Sequence, residues 1–332
     1  MKIAIIGAGA IGGVVAAYLK KAGEDVVLVG HGDQVDAVNA RGLTVKGVRG
    51  TETIKLPAMT RLDKPYDLVI FTVKTQDLEE AFIHNAEFLE SGLVLTTQNG
   101  VQADNILSGH FERDRQLSSI VMFGATYVKP GELTFNFEGD WILGRPLMPL
   151  DPTAHRVAEI LGKAFKIVTS TNIIGQKYLK LFVNFNNCIP ALVGKSMQET
   201  FADMDMCTLS IMLLKEGLAI VGDAKIELVS LPDFPKERVY GLAAMPLEQA
   251  AGIMNKTLTS LSKKPLYGSI LQSVMRGKTS EIDFINGEVV HLANNLKMPS
   301  VLNTKVVDMV HEVERTGVYF TFEQVKKAFE LR

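Results

Sequence analysis

Residues 2–33 read KIAIIGAGAIGGVVAAYLKKAGEDVVLVGHGD. A short β-branched run, a glycine turn, a helical stretch and a second β-branched run follow one another without a gap. Gly7-Ala8-Gly9-Ala10-Ile11-Gly12 between them matches G-x-G-x-x-G. In this setting the first glycine permits a tight turn, the second lets the backbone approach a pyrophosphate, and the third lets helix and strand pack closely. The helix N-terminus then offers unpaired N–H groups and a partial positive charge to the anion. The run from Ile3 to Leu19 is uncharged, but its glycines argue for a turn instead of a signal peptide or membrane span.

The second run ends Val29-Gly30-His31, without the acid that usually holds the ribose hydroxyls of NAD; Asp33 comes two residues late. This favours NADP, with NAD as the alternative. His31 is then either a partner for the extra phosphate or a surface loop residue.

Working outward, Asp67–Phe71 and Leu93–Thr96 read as further buried parallel strands, with helical stretches at Asp33–Arg41 and Thr75–Glu90. Strands alternating with helices imply an α/β, Rossmann-type doubly wound sheet. Runs at Ser118–Tyr127, Glu132–Phe137 and Trp141–Leu143, punctuated by glycines, read as an antiparallel extension of that sheet. Beyond Ser170 the texture turns helical, including one long helix over Asn172–Val193 and others over Glu281–Asn295 and Leu302–Arg315. The expected division is a dinucleotide-binding domain over residues 1–170 and an all-helical domain over 171–332, which fits a length of 332 residues.

Composition sets the remaining bounds. Hydrophobic residues make up 47%, enough for sizeable cores, and a net charge of -2 with scattered Lys and Arg argues against nucleic acid as a partner. Cys188 and Cys207 form no C-x-x-C pair, so neither a disulfide framework nor a metal site is read, and a cytoplasmic protein free of the membrane is expected. Met204, Met206, Leu209 and Met212 form a stripe that either pairs two copies into a homodimer or belongs to the core.

Polar residues gather where ligands of such sheets sit. Lys74 and Asn99 each follow an apolar strand, at the carboxyl ends where cofactors bind. On the first long helix after the sheet, Lys180, Asn184 and Cys188 are spaced four apart and would share one face, with Asn187 beside them. A lysine and amides at the edge of an apolar stripe are costly without partners, which a cleft between the two expected domains would supply. Hydride addition to a ketone builds negative charge on oxygen, and a lysine ammonium can hydrogen-bond that oxygen and then protonate it. A lysine reaching along a helix surface to water is the plain alternative.

Taken in order, the glycine loop, Lys74-Thr75, Asn99-Gly100, Lys180-Leu-x-x-Asn184, Ser269-Ile-Leu-Gln272 and Glu281-Ile-Asp-Phe-Ile-Asn-Gly287 resemble the ketopantoate reductase family. The resemblance implies hydride transfer from NADPH to the C2 keto group of a small 2-keto acid, most simply 2-dehydropantoate. It implies that Lys180 donates the proton, that Asn184 and Ser269 hold the substrate, and that Glu281 lies by the nicotinamide ribose and orients Lys180. Lys74 and Asn99 would contact NADP. Apart from the resemblance, Glu281 opens a helical stretch and could be a capping carboxylate.

The chain departs from the family pattern at four places. Cys188 stands where a second asparagine is usual, His31 replaces an arginine, Leu266 replaces an asparagine and Ser273 an aspartate. A pocket with fewer polar ligands discriminates less well for a hydroxylated substrate. A D-2-hydroxyacid dehydrogenase acting on branched or aromatic, mandelate-like acids, with NAD, is therefore the second reading. A non-catalytic dinucleotide sensor is the third, and the Lys180, Asn184 and Glu281 set argues against it.

Overall fold

The computed structural model describes residues 1–331. The chain divides into two compact units, Met1–Ile174 and Gly175–Arg332.

The first unit is organised by an eight-stranded sheet. Its strands are β1 (Lys2–Ile6), β2 (Asp25–Val29), β5 (Ala58–Met59), β6 (Leu68–Phe71), β7 (Leu93–Thr96), β8 (Gln116–Val121), β11 (Trp141–Gly144) and β12 (Ile167–Ser170), in the order β12-β11-β8-β7-β6-β1-β2-β5. Neighbours pair in parallel except β8 with β11. Alternation along β1 sends its residues to two cores. Ile3 and Ile5 join the side chains of α1 (Ala10–Lys21), and Ala4 and Ile6 face Leu78 of α3 (Leu78–Asn85) and Leu107 of α4 (Gln102–Ser108). Helix α2 (Gly32–Arg41) follows β2, and α5 (Pro152–Gly162) joins β11 to β12. A strand buried on both faces needs the unbroken apolar run that the sequence supplies.

The segment after Leu117 differs from the single extension expected. β8 and β11 do add antiparallel pairing to the main sheet, but the run Ser118–Tyr127 breaks after Val121. Its second half, β9 (Gly124–Lys129), pairs with β10 (Glu132–Phe137) in a separate four-stranded sheet ordered β4-β3-β10-β9, with β3 (Leu43–Gly47) and β4 (Glu52–Ile54). At the break, Gly139 crosses so close that a Cβ on it would lie 2.3 Å from the Met122 carbonyl oxygen. β10 lies parallel to β3, a long-range pairing that local periodicity does not encode. Leu43, Val45, Leu133 and Phe135 of this second sheet are buried in the same core as α1.

The second unit is helical. Where one helix was expected over Asn172–Val193, α6 (Ile173–Asn184) ends in a 3-10 turn, Phe185–Asn187, and α7 (Cys188–Val193) follows. Pro190 explains the break, since it cannot donate to the carbonyl of Asn186 and its ring crowds that carbonyl. The Phe182 and Phe185 rings, 4.9 Å apart, pack here against Gly217 of α9 (Met204–Asp223). Helices α8 (Met197–Phe201), α10 (Glu237–Ala244), α11 (Leu247–Thr259), α12 (Ser269–Met275), α13 (Asn286–Leu296), α14 (Val301–Thr316) and α15 (Phe322–Ala328) complete the unit. Of the stripe on α9, Met206 and Leu209 are fully buried in the core, Met212 is half-buried and Met204 is exposed. Among the described residues no helix is long and apolar enough to cross a membrane.

Candidate functional site

In the first unit the loops after β1, β2, β6 and β7 leave the same end of four adjacent parallel strands. These loops carry Gly7 to Gly12, His31, Lys74 and Asn99. Gly7 has φ +118, and a Cβ on it would lie 2.5 Å from the Val73 nitrogen. Gly12 lies under the same loop, where a Cβ would come within 2.0 Å of the Gly7 carbonyl oxygen. The Thr72 hydroxyl fixes this crossing by donating to Gly7 O at 2.8 Å. Ala8 is buried, Ala10 and Ile11 are half-buried, and Gly9 at the N-cap of α1 is exposed with open space where its Cβ would be. The Gly13 amide reaches back to Gly9 O, which leaves the preceding three N–H groups of α1 without intrahelical acceptors. An uncluttered glycine face and free N–H donors fit a dinucleotide pyrophosphate.

His31 is exposed at the N-cap of α2, and its side chain makes no capping bond. Lys74 is half-buried at the exit of β6. Asn99 is half-buried, and its side chain makes no hydrogen bond to a described residue. Sequence reasoning missed Gln98, which is buried and ties two of these exits together. Its amide donates to Phe71 O at 3.0 Å and Val73 O at 2.8 Å, and its Oε1 accepts from the Thr97 N–H at 3.0 Å. Beside Asn99 it reads only as one more polar loop residue, and nothing local in the sequence reveals the bridge.

In the second unit, Lys180 and Asn184 lie four residues apart on α6 and so share a face, as their spacing predicts. Lys180 is half-buried, and among the described residues it makes neither an ion pair nor a hydrogen bond. Burial holds its ammonium below the usual lysine pKa. Lys177, a turn earlier, is fully buried and engaged within the protein. Cys188 does not continue the face. It lies beyond the 3-10 turn, is fully buried, and donates its thiol to Phe185 O at 3.0 Å. Desolvation pushes that thiol up to about 12, so it is inert.

The two polar residues beside it have different fates. The Asn186 side chain accepts from the Ser210 hydroxyl, whereas Asn187 makes no hydrogen bond to a described residue. Asn187 packs instead on Gly268, where a Cβ would lie 2.5 Å from its Oδ1. The next residue, Ser269, is exposed at the start of α12. Glu281 is half-buried and engaged. It precedes a 3-10 turn, Ile282–Phe284, and α13 starts only at Asn286, so a capping role in the first turn of a long helix does not hold.

Residues 3–147 match the family described as ketopantoate reductase PanE/ApbA, and residues 172–314 match its C-terminal part. The chain belongs to the ketopantoate reductase family. Membership places it among oxidoreductases. It is 29% identical to the 2-dehydropantoate 2-reductase of Pyrococcus horikoshii over 96% of this chain and 99% of that one. It is 27% identical to the enzyme of the same name from Archaeoglobus fulgidus, over 94% and 98% of the two chains. Among solved structures, a PanE/ApbA family ketopantoate reductase from Ralstonia eutropha superposes with TM-score 0.81 at 25% identity, covering 95% and 99% of the chains. A D-mandelate dehydrogenase solved with NADH and anilino(oxo)acetate shares the fold, with TM-score 0.82 at 21% identity and the same coverage. These ketopantoate reductase relatives cover 94–96% of the chain, so both units belong to the family's architecture.

Proposed function

We propose that this protein reduces the C2 keto group of a small 2-keto acid, 2-dehydropantoate to pantoate, using NADPH. The observation that carries the reading is Lys180, a half-buried lysine without a protein partner, on the same helix face as Asn184. Leaving an ammonium desolvated and unpaired destabilises a fold, and a site that binds an oxyanion gives a reason to keep it.

The reduced nicotinamide supplies the hydride when bound. The glycine loop from Gly7 through Ala8, Gly9, Ala10 and Ile11 to Gly12 would hold the pyrophosphate, with Lys74 and Asn99 on the rest of the cofactor and His31 on the 2′-phosphate. Lys180 would hydrogen-bond the keto oxygen and release a proton to it, leaving a neutral amine that is reprotonated from water. The depressed pKa makes Lys180 a stronger acid than an exposed lysine and so suits it to that transfer. Asn184 would orient the carbonyl, Ser269 would bind the carboxylate, and Glu281 would lie by the ribose and position Lys180.

A second reading, a D-2-hydroxyacid dehydrogenase linked to NAD, is favoured by Cys188 and Leu266. The first is buried and the second is apolar, so neither offers the substrate a polar ligand. Steady-state assays with 2-dehydropantoate, phenylglyoxylate and 2-ketoisovalerate against NADPH and NADH separate the two. A kcat/KM for 2-dehydropantoate far below those of the other acids refutes the first reading.

A further inference from the structure

Glu281 sits in a stretch short of regular structure, between the end of α12 and the start of α13. Inside it the Phe284 N–H donates to Glu281 O at 3.1 Å, and the Ile282 N–H donates to the Ser280 hydroxyl at 3.2 Å. The outside support for residues 280–286 comes from α14. Glu314 Oε1 accepts from the Ser280 N–H at 2.7 Å, and His311 Nε2 lies 3.1 Å from both carboxylate oxygens of Asp283. Asn286 Nδ2 donates to Asn303 Oδ1 at 3.1 Å. At about 3.6 residues per turn, Asn303, His311 and Glu314 fall on one side of α14, which therefore runs along the segment like a rail.

These fastenings differ in weight. The His311 and Asp283 side chains are 43% and 47% exposed, so water competes for that pair. Asn303 serves the far end of the segment. Glu216 accepts from its backbone and side-chain nitrogens at 2.7 and 2.8 Å, which anchors Asn286 and the start of α13. Glu314 meets the residue next to Glu281. Ser280 is 1% exposed, so loss of the Glu314 carboxylate would strip an interior N–H of this acceptor, which is costly. A stretch without helix or strand bonds relieves such a cost by moving, and Glu281 would move with it.

We propose that Glu314 is a positioning residue for the reduction: by holding the Ser280 N–H, it fixes the place of the Glu281 carboxylate. This rests on the reading of Glu281 as the group that lies by the ribose and orients Lys180. Glu314 acts through that one backbone bond and needs no contact with the reacting atoms. The Ser280 N–H requires an acceptor at this place and not a charge, so a side-chain amide at position 314 serves nearly as well.

The test uses the full chain with NADPH and 2-dehydropantoate. Glu314→Ala lowers kcat by about 10- to 100-fold. Glu314→Gln, which keeps an acceptor for the Ser280 N–H, restores kcat to within about threefold of wild type. Glu281→Gln lowers kcat at least as much as Glu314→Ala, because the second acts through the first. Adding Glu314→Ala to Glu281→Gln costs less than about twofold more in kcat, whereas Tm falls by the same amount in both backgrounds. A role confined to stability would move Tm and leave kcat alone. Glu314→Asp, one methylene too short to reach, supplies the same readout should the alanine variant fold poorly. Wild-type kcat in Glu314→Ala, no recovery in Glu314→Gln, or losses that multiply in the double variant overturn the assignment while the reductase reading stands. Wild-type kcat in Glu281→Gln overturns the role of Glu281 and this one with it. A wild-type protein that reduces no 2-keto acid overturns the reductase reading itself.

Discussion

Gly12→Ala and Gly9→Ala remove neighbouring glycines from one loop, and the structure separates their effects. A Cβ on Gly12 would lie 2.0 Å from Gly7 O and 2.2 Å from Thr72 Oγ1, where real Cβ contacts essentially never fall below 3.0 Å. α1 would have to retreat from β1 by about an ångström in a fully packed core, an overpacking that costs about 1–3 kcal/mol. Forcing Thr72 off Gly7 O adds about 1 kcal/mol. For a unit of this size each kcal/mol shifts Tm by about 2–4 °C, so the melting transition of the first unit falls by roughly 5–15 °C. Affinity for NADPH falls with it, because the N–H groups of α1 move with the helix. Gly9 has φ -79, and nothing lies within 4 Å of its Cβ position. Gly9→Ala therefore leaves Tm within about 1 °C, yet obstructs the close approach of a pyrophosphate and weakens NADPH binding by about tenfold or more. Differential scanning calorimetry and a fluorescence titration with NADPH read both quantities. Wild-type affinity in Gly9→Ala refutes the placement of the pyrophosphate. A wild-type Tm in Gly12→Ala refutes the close-packing argument.

Lys180→Ala is expected to lower kcat by about 10²- to 10⁴-fold while the NADPH Kd changes little; unchanged turnover would leave the mechanism without its acid. Because burial depresses the Lys180 pKa, the wild-type kcat is expected to fall as pH rises through a value below the usual lysine range, and a flat profile up to that range removes Lys180 as donor. His31→Ala is expected to weaken NADPH several-fold and leave NADH unaffected; equal effects on both would place His31 away from the 2′-phosphate. Asp151→Ala is expected to destabilise the first unit by about 3 kcal/mol. It strips the fully buried Arg145 of contacts at 2.8 and 3.0 Å and removes the N-cap of α5. Burial raises the Asp151 pKa, but the Ala154 N–H and Arg145 outweigh it and the net shift is downward. Its contribution is thus present above the unfolded carboxyl value near about 3.9 and is lost as pH falls through the lower folded value, which acid melts of wild type and variant compare.

Sequence patterning reached as far as its physics is local. The β1–α1–β2 unit was legible because one strand period, one glycine turn and one helical period follow in 28 residues, Lys2–Val29. The second sheet was not, since β3 and β10 meet only through long-range pairing and each looks like an ordinary short strand. The break in α6 did leave a signal, Pro190, whose effect falls four residues upstream on Asn186. Spacing placed Lys180 and Asn184 on one face, because both precede the break. It failed for Cys188, which follows it, and it could not distinguish Asn186 from Asn187, whose difference is made by Ser210 on another helix.

The second sheet has a consequence for biosynthesis. A Cβ on Gly13 of α1 would lie 2.3 Å from Leu133 Cδ1, so the helix that starts at the nucleotide loop is roofed by a strand made more than a hundred residues later. On the ribosome, β1, α1 and β2 can pair early, but one side of α1 stays wet until β10 has emerged and found β3. Closure of that long loop is expected to come late and slowly in folding. Nascent chains ending before Phe137 should expose α1 to chaperones, and they should acquire dinucleotide affinity only once the roof is in place.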